Sequence, residues 1–134
     1  MSDRIDPVIM TILAEEPSLE WFGFTVQEAR RGRALVAVEV RPHHVNGNSM
    51  THGGVVFALA DQAFAMAAVT VLSRAVTADA QIHYIAPSRL GDVLVATAQT
   101  TYRDERRAII DVVVRAHDEA VAHYRGTARA TRRG

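Results

Sequence analysis

Cysteine and lysine are both absent from the 134-residue chain. Without cysteine the protein has no disulfides, no thiolate nucleophile and no cysteine metal site. Fifteen arginines balance fifteen acidic residues, and this zero formal charge argues against a nucleic-acid or anionic-membrane binder held by its overall field. The N-terminus carries acids and a proline in place of the basic start and apolar run of a signal peptide, so the sequence predicts a cytoplasmic protein.

Several motifs of nucleotide and hydrolase sites are absent too. The chain contains no GxSxG elbow, no P-loop and no dinucleotide-binding glycine pattern. His43, His44 and His52 lack the spacing of HExxH or Cys/His sites, and the only acidic residue near them is Asp61. We therefore expect no metal site.

Length and hydrophobic content favour one domain with a real core. The chain is 49% hydrophobic, and its length is short for two domains. Residues 1–134 should form this single domain, with a frayed tail at about 131–134. The periodicity predicts a mostly antiparallel sheet that wraps one helix, an α+β arrangement. The predicted helices are 7–15, with Asp6 as N-cap, and 55–72; the predicted strands are 24–30, 34–40, 76–85, 92–102, 107–116 and 121–130.

The long helix is apolar on nearly all faces, and 55–72 is long enough to suggest a membrane span. A carboxylate at the bilayer centre costs about 2.5–3.5 kcal/mol, so the presence of Asp61 favours a buried helix of a soluble protein. Asp61 is the one charged residue between Arg41 and Arg74. It is either a structural carboxylate satisfied by a loop amide or hydroxyl, or a nucleophile or general base held at a cavity.

The start of this helix favours the catalytic interpretation. Gly53 and Gly54 fall in its first turn, where backbone N–H groups have no helical partner. Glycine lets a ligand approach the backbone, and the helix dipole adds partial positive charge, so the turn suits the oxyanion of an acyl transfer. A glycine-rich helix start capped by Thr51 would show the same residues.

Spacing limits any joint role of Gly53 and Asp61. They are eight residues apart on one helix, about 12 Å along its axis. Both can act on one carbonyl only if Asp61 comes from a second copy of the chain, with the two helices antiparallel about a two-fold axis. The chemistry thus predicts a homodimer with two shared sites.

The run His52-Gly53-Gly54, followed six residues later by Asp61 in an alanine-rich helix, resembles the signature of hotdog-fold acyl-CoA thioesterases. It is most similar to the PaaI-type branch, associated with phenylacetate degradation. The resemblance extends over about residues 23–127 and includes Asn46, the strand at 80–87 and the Gly-Asp pair at 91–92. It implies a hotdog fold, a long central helix wrapped by five or six mostly antiparallel strands. It also implies dimers that often join into tetramers, with no metal or organic cofactor.

The resemblance also implies roles for the signature residues. Gly53 would polarise the thioester carbonyl through its backbone N–H, with Gly54 beside it in the same turn. His52 and Asn46 would shape the turn or assist the carbonyl and the water. Asp61 of the partner subunit would attack the thioester or activate water.

Further residues are candidates for substrate contacts. Thr77 could hydrogen-bond Asp61 or its water, and Phe57 could line the acyl pocket. His83 stands at a position where PaaI-like chains often carry an acidic or amide residue. The phosphates of coenzyme A call for arginines, for which the candidates are Arg89, Arg103 and Arg106.

The leading hypothesis is therefore an acyl-CoA thioesterase that acts on an aryl-acetyl group (phenylacetyl or hydroxyphenylacetyl) or on a short or medium acyl group. The first alternative is a non-catalytic acyl-CoA-binding or regulatory hotdog module, which would be marked by a lost carboxylate or a fused DNA-binding segment. The second is a hotdog hydratase or dehydratase, which would need an Asp-x4-His pair. Ala65 and Met66 follow Asp61 at that spacing instead.

Overall fold

The computed structural model describes residues 3–131. Two helices, α1 (Pro7–Glu15) and α2 (Pro17–Phe22), precede the sheet. The strands are β1 (Thr25–Arg30), β2 (Arg33–Glu39), β3 (Ala75–Tyr84), β4 (Val93–Arg103), β5 (Arg107–Ala116) and β6 (Glu119–Ala130), and the long helix α3 (Gly53–Leu72) lies between β2 and β3. The predicted α+β order is confirmed, with α2 as an additional helix that the sequence pattern does not predict.

The two N-terminal helices differ in how clearly the sequence marks them. The side chain of Asp6 accepts the N–H of Val8 at 3.0 Å, so the predicted N-cap of α1 is confirmed. Helix α2 has six residues, and its N-cap, Glu16, makes no capping hydrogen bond through its side chain. A helix of fewer than two turns is too short to show a hydrophobic period, so Pro17 at its start and the left-handed Gly23 at its end are the only sequence signals of it.

All neighbouring strands of the sheet are antiparallel, in the order β1-β2-β4-β5-β6-β3. Helix α3 packs across one face and contacts all six strands. Its buried side chains are Val56, Leu59, Ala60, Gln62, Ala63, Phe64, Met66, Ala67 and Ala68. Length and composition alone would also allow α3 to cross a membrane, but this packing supports its interpretation as a core helix.

The hairpin between β1 and β2 turns at Arg31 and Gly32. Both residues have positive φ, 53° and 78°, the geometry of the two-residue turns whose twist matches that of the strands. The N–H of Gly32 donates to Oγ1 of Thr70 at 2.8 Å, which ties the hairpin to the last turns of α3. A Cβ on Gly32 would lie 2.8 Å from Oγ1 of Thr100, so the turn requires glycine for space as well as for φ.

Strand β3 forms one edge of the sheet and is exposed along most of its length. The sequence predicts one apolar face for residues 76–85. Within the single chain the apolar residues at the two ends of this strand are not buried, since Val76 is 49% exposed and Tyr84 55%. A long edge strand with exposed apolar side chains is a template for pairing with another chain.

A bulge in β3 changes which of its side chains share a face. Thr77 pairs with Ala128 of β6, whereas Asp79 pairs with Thr127. Directly opposed residues of antiparallel strands point to the same side of the sheet, so Thr77 faces α3 with the buried Ala128 and Asp79 faces away. The sequence alternation puts both on one polar row, which is wrong because the bulge inserts one residue and inverts the phase.

The end of β6 remains hydrogen-bonded to its surroundings. The N–H of Ala130 donates to the carbonyl of Arg106 at 2.7 Å, and the N–H of Thr131 donates to the carbonyl of Arg74 at 3.1 Å. The rest of the predicted frayed tail, residues 132–134, lies outside the described residues.

Candidate active site

A buried histidine anchors the loop that leads into α3. His44 is 2% exposed; its Nδ1 accepts the N–H of Arg41 at 2.9 Å, which leaves Nε2 to donate to the carbonyl of Phe22 at 2.8 Å. Burial lowers the pKa of His44, which favours this neutral form. The carbonyl of His44 accepts the N–H of His52 at 2.8 Å, so His44 also holds the residue that directly precedes Gly53.

Asn46 shapes the turn that follows. Its side-chain oxygen accepts the N–H of Asn48 at 2.8 Å and that of Met50 at 3.2 Å, and its own N–H donates to the carbonyl of Met50 at 2.7 Å. Among the described residues the side-chain nitrogen of Asn46 has no hydrogen-bond partner. Asn46 is half-buried and lines a cleft that Gly53 also lines, so this nitrogen is the free donor of the turn.

His52 is the N-cap of α3. Its Nδ1 accepts the N–H of Gly54 at 2.8 Å, and its carbonyl accepts the N–H of Val55 at 2.9 Å. The alternative cap, Thr51, is wrong: its hydroxyl instead accepts from the hydroxyl of Ser88 at 2.7 Å. Within residues 3–131 the N–H of Gly53 has no acceptor, so this first turn presents one free backbone donor.

Gly53 lines a cleft of ≈ 330 Å³ beside the sheet edge. The hydroxyl of Tyr84 donates to the carbonyl of Gly53 at 2.9 Å, and a Cβ on Gly53 would lie 3.3 Å from the Tyr84 ring. The missing side chain thus makes room for the phenol next to the free N–H. The other lining residues are Asn46, Met50, Thr51, Val56, Ile85, Ala86, Pro87, Ser88 and Val121.

Asp61 is half-buried in the middle of α3, and its partner is a tyrosine of β6. The hydroxyl of Tyr124 donates to Oδ1 of Asp61 at 2.7 Å. Tyr124 is 2% exposed, and its ring lies between those of Phe57 and Phe64, at centroid distances of 5.5 and 5.6 Å. Burial raises the pKa of Tyr124, and the hydrogen bond to Asp61 raises it further, so the phenol stays protonated and acts as a donor.

Tyr124 is the main site residue that the sequence does not reveal. It lies 63 residues from Asp61 along the chain and falls in an ordinary alternating strand. The only available signal is general, since a buried tyrosine hydroxyl needs a partner. Phe57, predicted to line the acyl pocket, is half-buried and packs edge-on against the Tyr124 ring.

A single chain does not bring the two main candidates together. Gly53 and Asp61 lie on one continuous helix, eight residues apart, so about 12 Å of axis separates them. Thr77 lies on the helix-facing side of β3, but among the described residues its side chain makes no hydrogen bond to Asp61 or to any other group. His83 points to the opposite side of the sheet. There its Nε2 is hydrogen-bonded to the Gln81 amide at 3.1 Å, and His123 lies directly opposite it on β6.

The three arginines predicted to bind phosphate lie in three different places. Arg89 follows Ser88, which lines the Gly53 cleft, and its backbone pairs with Met50. The Arg103 guanidinium donates to the carbonyl of Val71 at 3.2 Å, at the opposite end of α3 from Gly53. Arg106 lies in the β4–β5 turn, near Val76 and Arg129. Only Arg89 is next to the cleft of the candidate oxyanion donor.

No metal centre is apparent in the described part of the chain. Among residues 3–131, no three or more histidine, aspartate or glutamate side chains are grouped so that they could hold a metal ion. The candidate groups that the described residues do present are the free backbone N–H of Gly53 and the hydrogen-bonded carboxylate of Asp61.

Comparison with known proteins identifies the family. The model of the thioesterase superfamily matches residues 48–123, more than half of the chain, and this range holds both Gly53 and Asp61. The chain belongs to the thioesterase superfamily. The acyl-coenzyme A thioesterase PaaI of Escherichia coli is 33% identical to this thioesterase over 105 residues, 78% of this chain and 75% of that protein.

Solved structures confirm the hotdog fold of this thioesterase. The structure of the E. coli PaaI protein from the phenylacetic acid degradation operon superposes with a TM-score of 0.89 at 27% identity, over 92% of this chain and 90% of that one. A Streptococcus mutans protein bound to acetyl CoA superposes with a TM-score of 0.77, also at 27% identity, over 81% of this chain and 88% of that one. The expected long central helix and antiparallel sheet are therefore those of the hotdog fold.

Proposed function

We propose that this thioesterase hydrolyses acyl-CoA thioesters at a site built from Gly53 of one subunit and Asp61 of the partner subunit. The observation that carries the proposal is the single unpaired N–H of Gly53, which lines a cleft at the positive end of α3. Such a donor stabilises the oxyanion that forms when a thioester carbonyl is attacked. The name of the E. coli relative and the acetyl CoA bound to the S. mutans protein support the same substrate class.

The proposed reaction needs only water and the thioester. Either Asp61 takes a proton from water, whose oxygen attacks the acyl carbon, or Asp61 attacks first and water then cleaves the resulting anhydride. In both routes the Gly53 N–H binds the developing oxyanion and the C–S bond breaks. The thiolate takes up a proton, so the products are a carboxylic acid and the free thiol of coenzyme A. We propose no cofactor other than the coenzyme A of the substrate.

The proposal requires a homodimer, because about 12 Å of helix separates Gly53 from Asp61 within one chain. The exposed edge of β3 supports this assembly, because its free backbone groups and apolar side chains suit pairing with a second copy. We propose a dimer of dimers as the full assembly, in the cytoplasm.

The acyl group that we propose is aryl-acetyl, either phenylacetyl or hydroxyphenylacetyl, or a short or medium chain. The similarity to PaaI supports the first choice. His52, Asn46 and Gly54 would hold the turn, and Thr77, which the bulge directs towards α3, would contact Asp61 or its water once a substrate is bound. Arg89 is the best placed of the three arginines for a phosphate of coenzyme A.

The test is a panel of acyl-CoA thioesters assayed by release of free thiol, with wild type and Asp61→Asn. The amide can still accept from Tyr124, so the fold is kept, but it is a poor base and nucleophile. We expect kcat to fall at least ~10²-fold while KM changes little. Asp111→Asn is the matched control, since it removes another carboxylate that is hydrogen-bonded from β6, by Arg125 at 2.6 Å, on the far face of the sheet. Near-native turnover of Asp61→Asn on the best thioester would exclude its catalytic role.

A further inference from the structure

Asp61 uses only one of its two carboxylate oxygens within the chain. Oδ1 accepts from Tyr124 at 2.7 Å, and among the described residues no other donor contacts this side chain. The described residues also contain no buried side-chain oxygen or nitrogen without a partner, so the unbonded Oδ2 is accessible rather than enclosed. The carboxylate therefore has one oxygen fixed by the protein and one available to a ligand.

The donor that fixes Oδ1 is itself buried. Tyr124 is 2% exposed and lies on β6, between β5 and β3 in the sheet. Phe57 and Phe64 contact its ring from α3, and these residues lie four positions before and three after Asp61, on the same side of the helix. Phe64 in turn lies against Gly126, where a Cβ would come within 2.7 Å of its ring. With ring contacts on both sides, the Tyr124 hydroxyl is directed at Asp61.

A second tyrosine–aspartate pair shows what a purely structural arrangement looks like in this protein. The hydroxyl of Tyr102 donates to Oδ2 of Asp104 at 2.9 Å, and Oδ1 of Asp104 accepts the backbone N–H groups of Arg106 and Arg107, both at 2.8 Å. Both oxygens of Asp104 are used to hold the β4–β5 turn, and the pair is exposed to solvent. In the Asp61 pair the tyrosine is buried, while Oδ2 of the carboxylate is accessible.

We propose that Tyr124 is a positioning residue of thioester hydrolysis, which holds Asp61 by Oδ1 so that Oδ2 is the oxygen presented to water or to the thioester. The inference rests on the proposed function and adds to it which oxygen reacts. An aspartate side chain has two rotatable bonds, and fixing them before the substrate arrives removes a cost that the reaction would otherwise include. Because Tyr124 is 2% exposed, the proposal has it act through Asp61 and not by contact with the substrate.

The experiment compares Tyr124→Phe with Tyr102→Phe, since each removes one hydroxyl that donates to an aspartate. Tyr124→Phe keeps the ring between Phe57 and Phe64, so the packing is preserved. With the best thioester of the panel we expect kcat to fall roughly 10- to 100-fold in Tyr124→Phe while KM changes less than about threefold, and no change in Tyr102→Phe.

A double-mutant cycle separates positioning from a general structural effect. If Tyr124 acts through Asp61, adding Tyr124→Phe to Asp61→Asn should leave the residual kcat unchanged. A further drop equal to that in the wild-type background would overturn the inference, and so would wild-type kcat in Tyr124→Phe alone.

A crystal structure of Tyr124→Phe provides a readout that does not depend on activity. We expect the Asp61 carboxylate to occupy more than one orientation once its donor is removed. A single, unchanged orientation would contradict the positioning role even if no thioester in the panel is hydrolysed, in which case the proposed function would fail separately.

Discussion

One unpaired N–H distinguishes Gly53 from its neighbours in the first turn of α3. His52 caps Gly54 through Nδ1 and accepts from Val55 through its carbonyl, so only the Gly53 donor is left for a ligand. The absence of a side chain has a separate reason, since a Cβ would lie only 3.3 Å from the Tyr84 ring, a tight contact. Two variants can therefore test the N–H and the side-chain space independently.

Gly53→Pro should remove the donor and keep the helix. Proline is favoured at the first helical position, and His52 already has the extended conformation, φ −60° and ψ 135°, that a residue before proline adopts. Gly53→Ala is the matched control, because it adds a Cβ at the same place but keeps the N–H. We expect kcat to fall about 10²–10³-fold in the proline variant relative to the alanine variant, as for loss of one oxyanion donor. Equal kcat values in thiol-release assays would rule out this role for the N–H.

At the scale of single residues, the sequence identifies a candidate site residue when its side chain differs in chemistry from its neighbours along the chain. Asp61 stands out because no other charge lies between Arg41 and Arg74. Gly53 stands out because it lies where a long apolar helix begins. Tyr124 cannot be found in this way, since its importance depends on a contact across 63 residues. His52 is likewise a cap that the sequence does not reveal, because a ring nitrogen caps the helix and the Thr51 hydroxyl, the alternative cap, does not.

At the scale of helices and strands, the packing of α3 on β6 requires a glycine at position 126. Gly126 faces the helix, and a Cβ there would lie 2.7 Å from the Phe64 ring, closer than van der Waals contact allows. The Phe64 ring also contacts Tyr124, so this contact supports the surroundings of the proposed site as well as the core.

Gly126→Ala should therefore destabilise the fold. Phe64 is 1% exposed and would have to shift to accept the Cβ, so we expect the free energy of unfolding to fall by about 1–3 kcal/mol, as for other overpacked cores. Urea denaturation followed by circular dichroism measures this change. Gly47→Ala is the control, since nothing lies within 4 Å of its Cβ position, and it should not lower the midpoint. Equal midpoints for the two variants would show that the core can absorb the extra methyl group.

The hydrophobic period of the sequence predicts the order and type of the main helices and strands, but it does not predict the register in which the strands pair. Alternation identifies β3 as a strand but contains no information on the bulge between Thr77 and Asp79. That bulge directs Thr77 towards α3 and leaves His83 on the opposite face, a distinction that depends on pairing with β6. Register arises from contacts between strands distant in sequence, and a single strand cannot encode it alone.

At the scale of the whole molecule, the division of the site between two chains can be tested by complementation. A heterodimer of a Gly53→Pro chain and an Asp61→Asn chain contains one site with both defects and one with neither. We expect each parent homodimer to be nearly inactive and the heterodimer, purified through two different tags, to show about half of the wild-type specific activity. A heterodimer as inactive as its parents would mean that each site is built from one chain.

On the shared-site proposal, the open edge of β3 makes enzymatic activity depend on the assembly of two copies. On this proposal the strand's exposed backbone groups and apolar side chains pair when two copies meet, and the same event completes the active site. Folding of one chain and competence of the enzyme are then separate equilibria, and the second obeys mass action. Dilution alone would switch the enzyme off without unfolding it, so its specific activity would depend on how much of the protein the cell maintains.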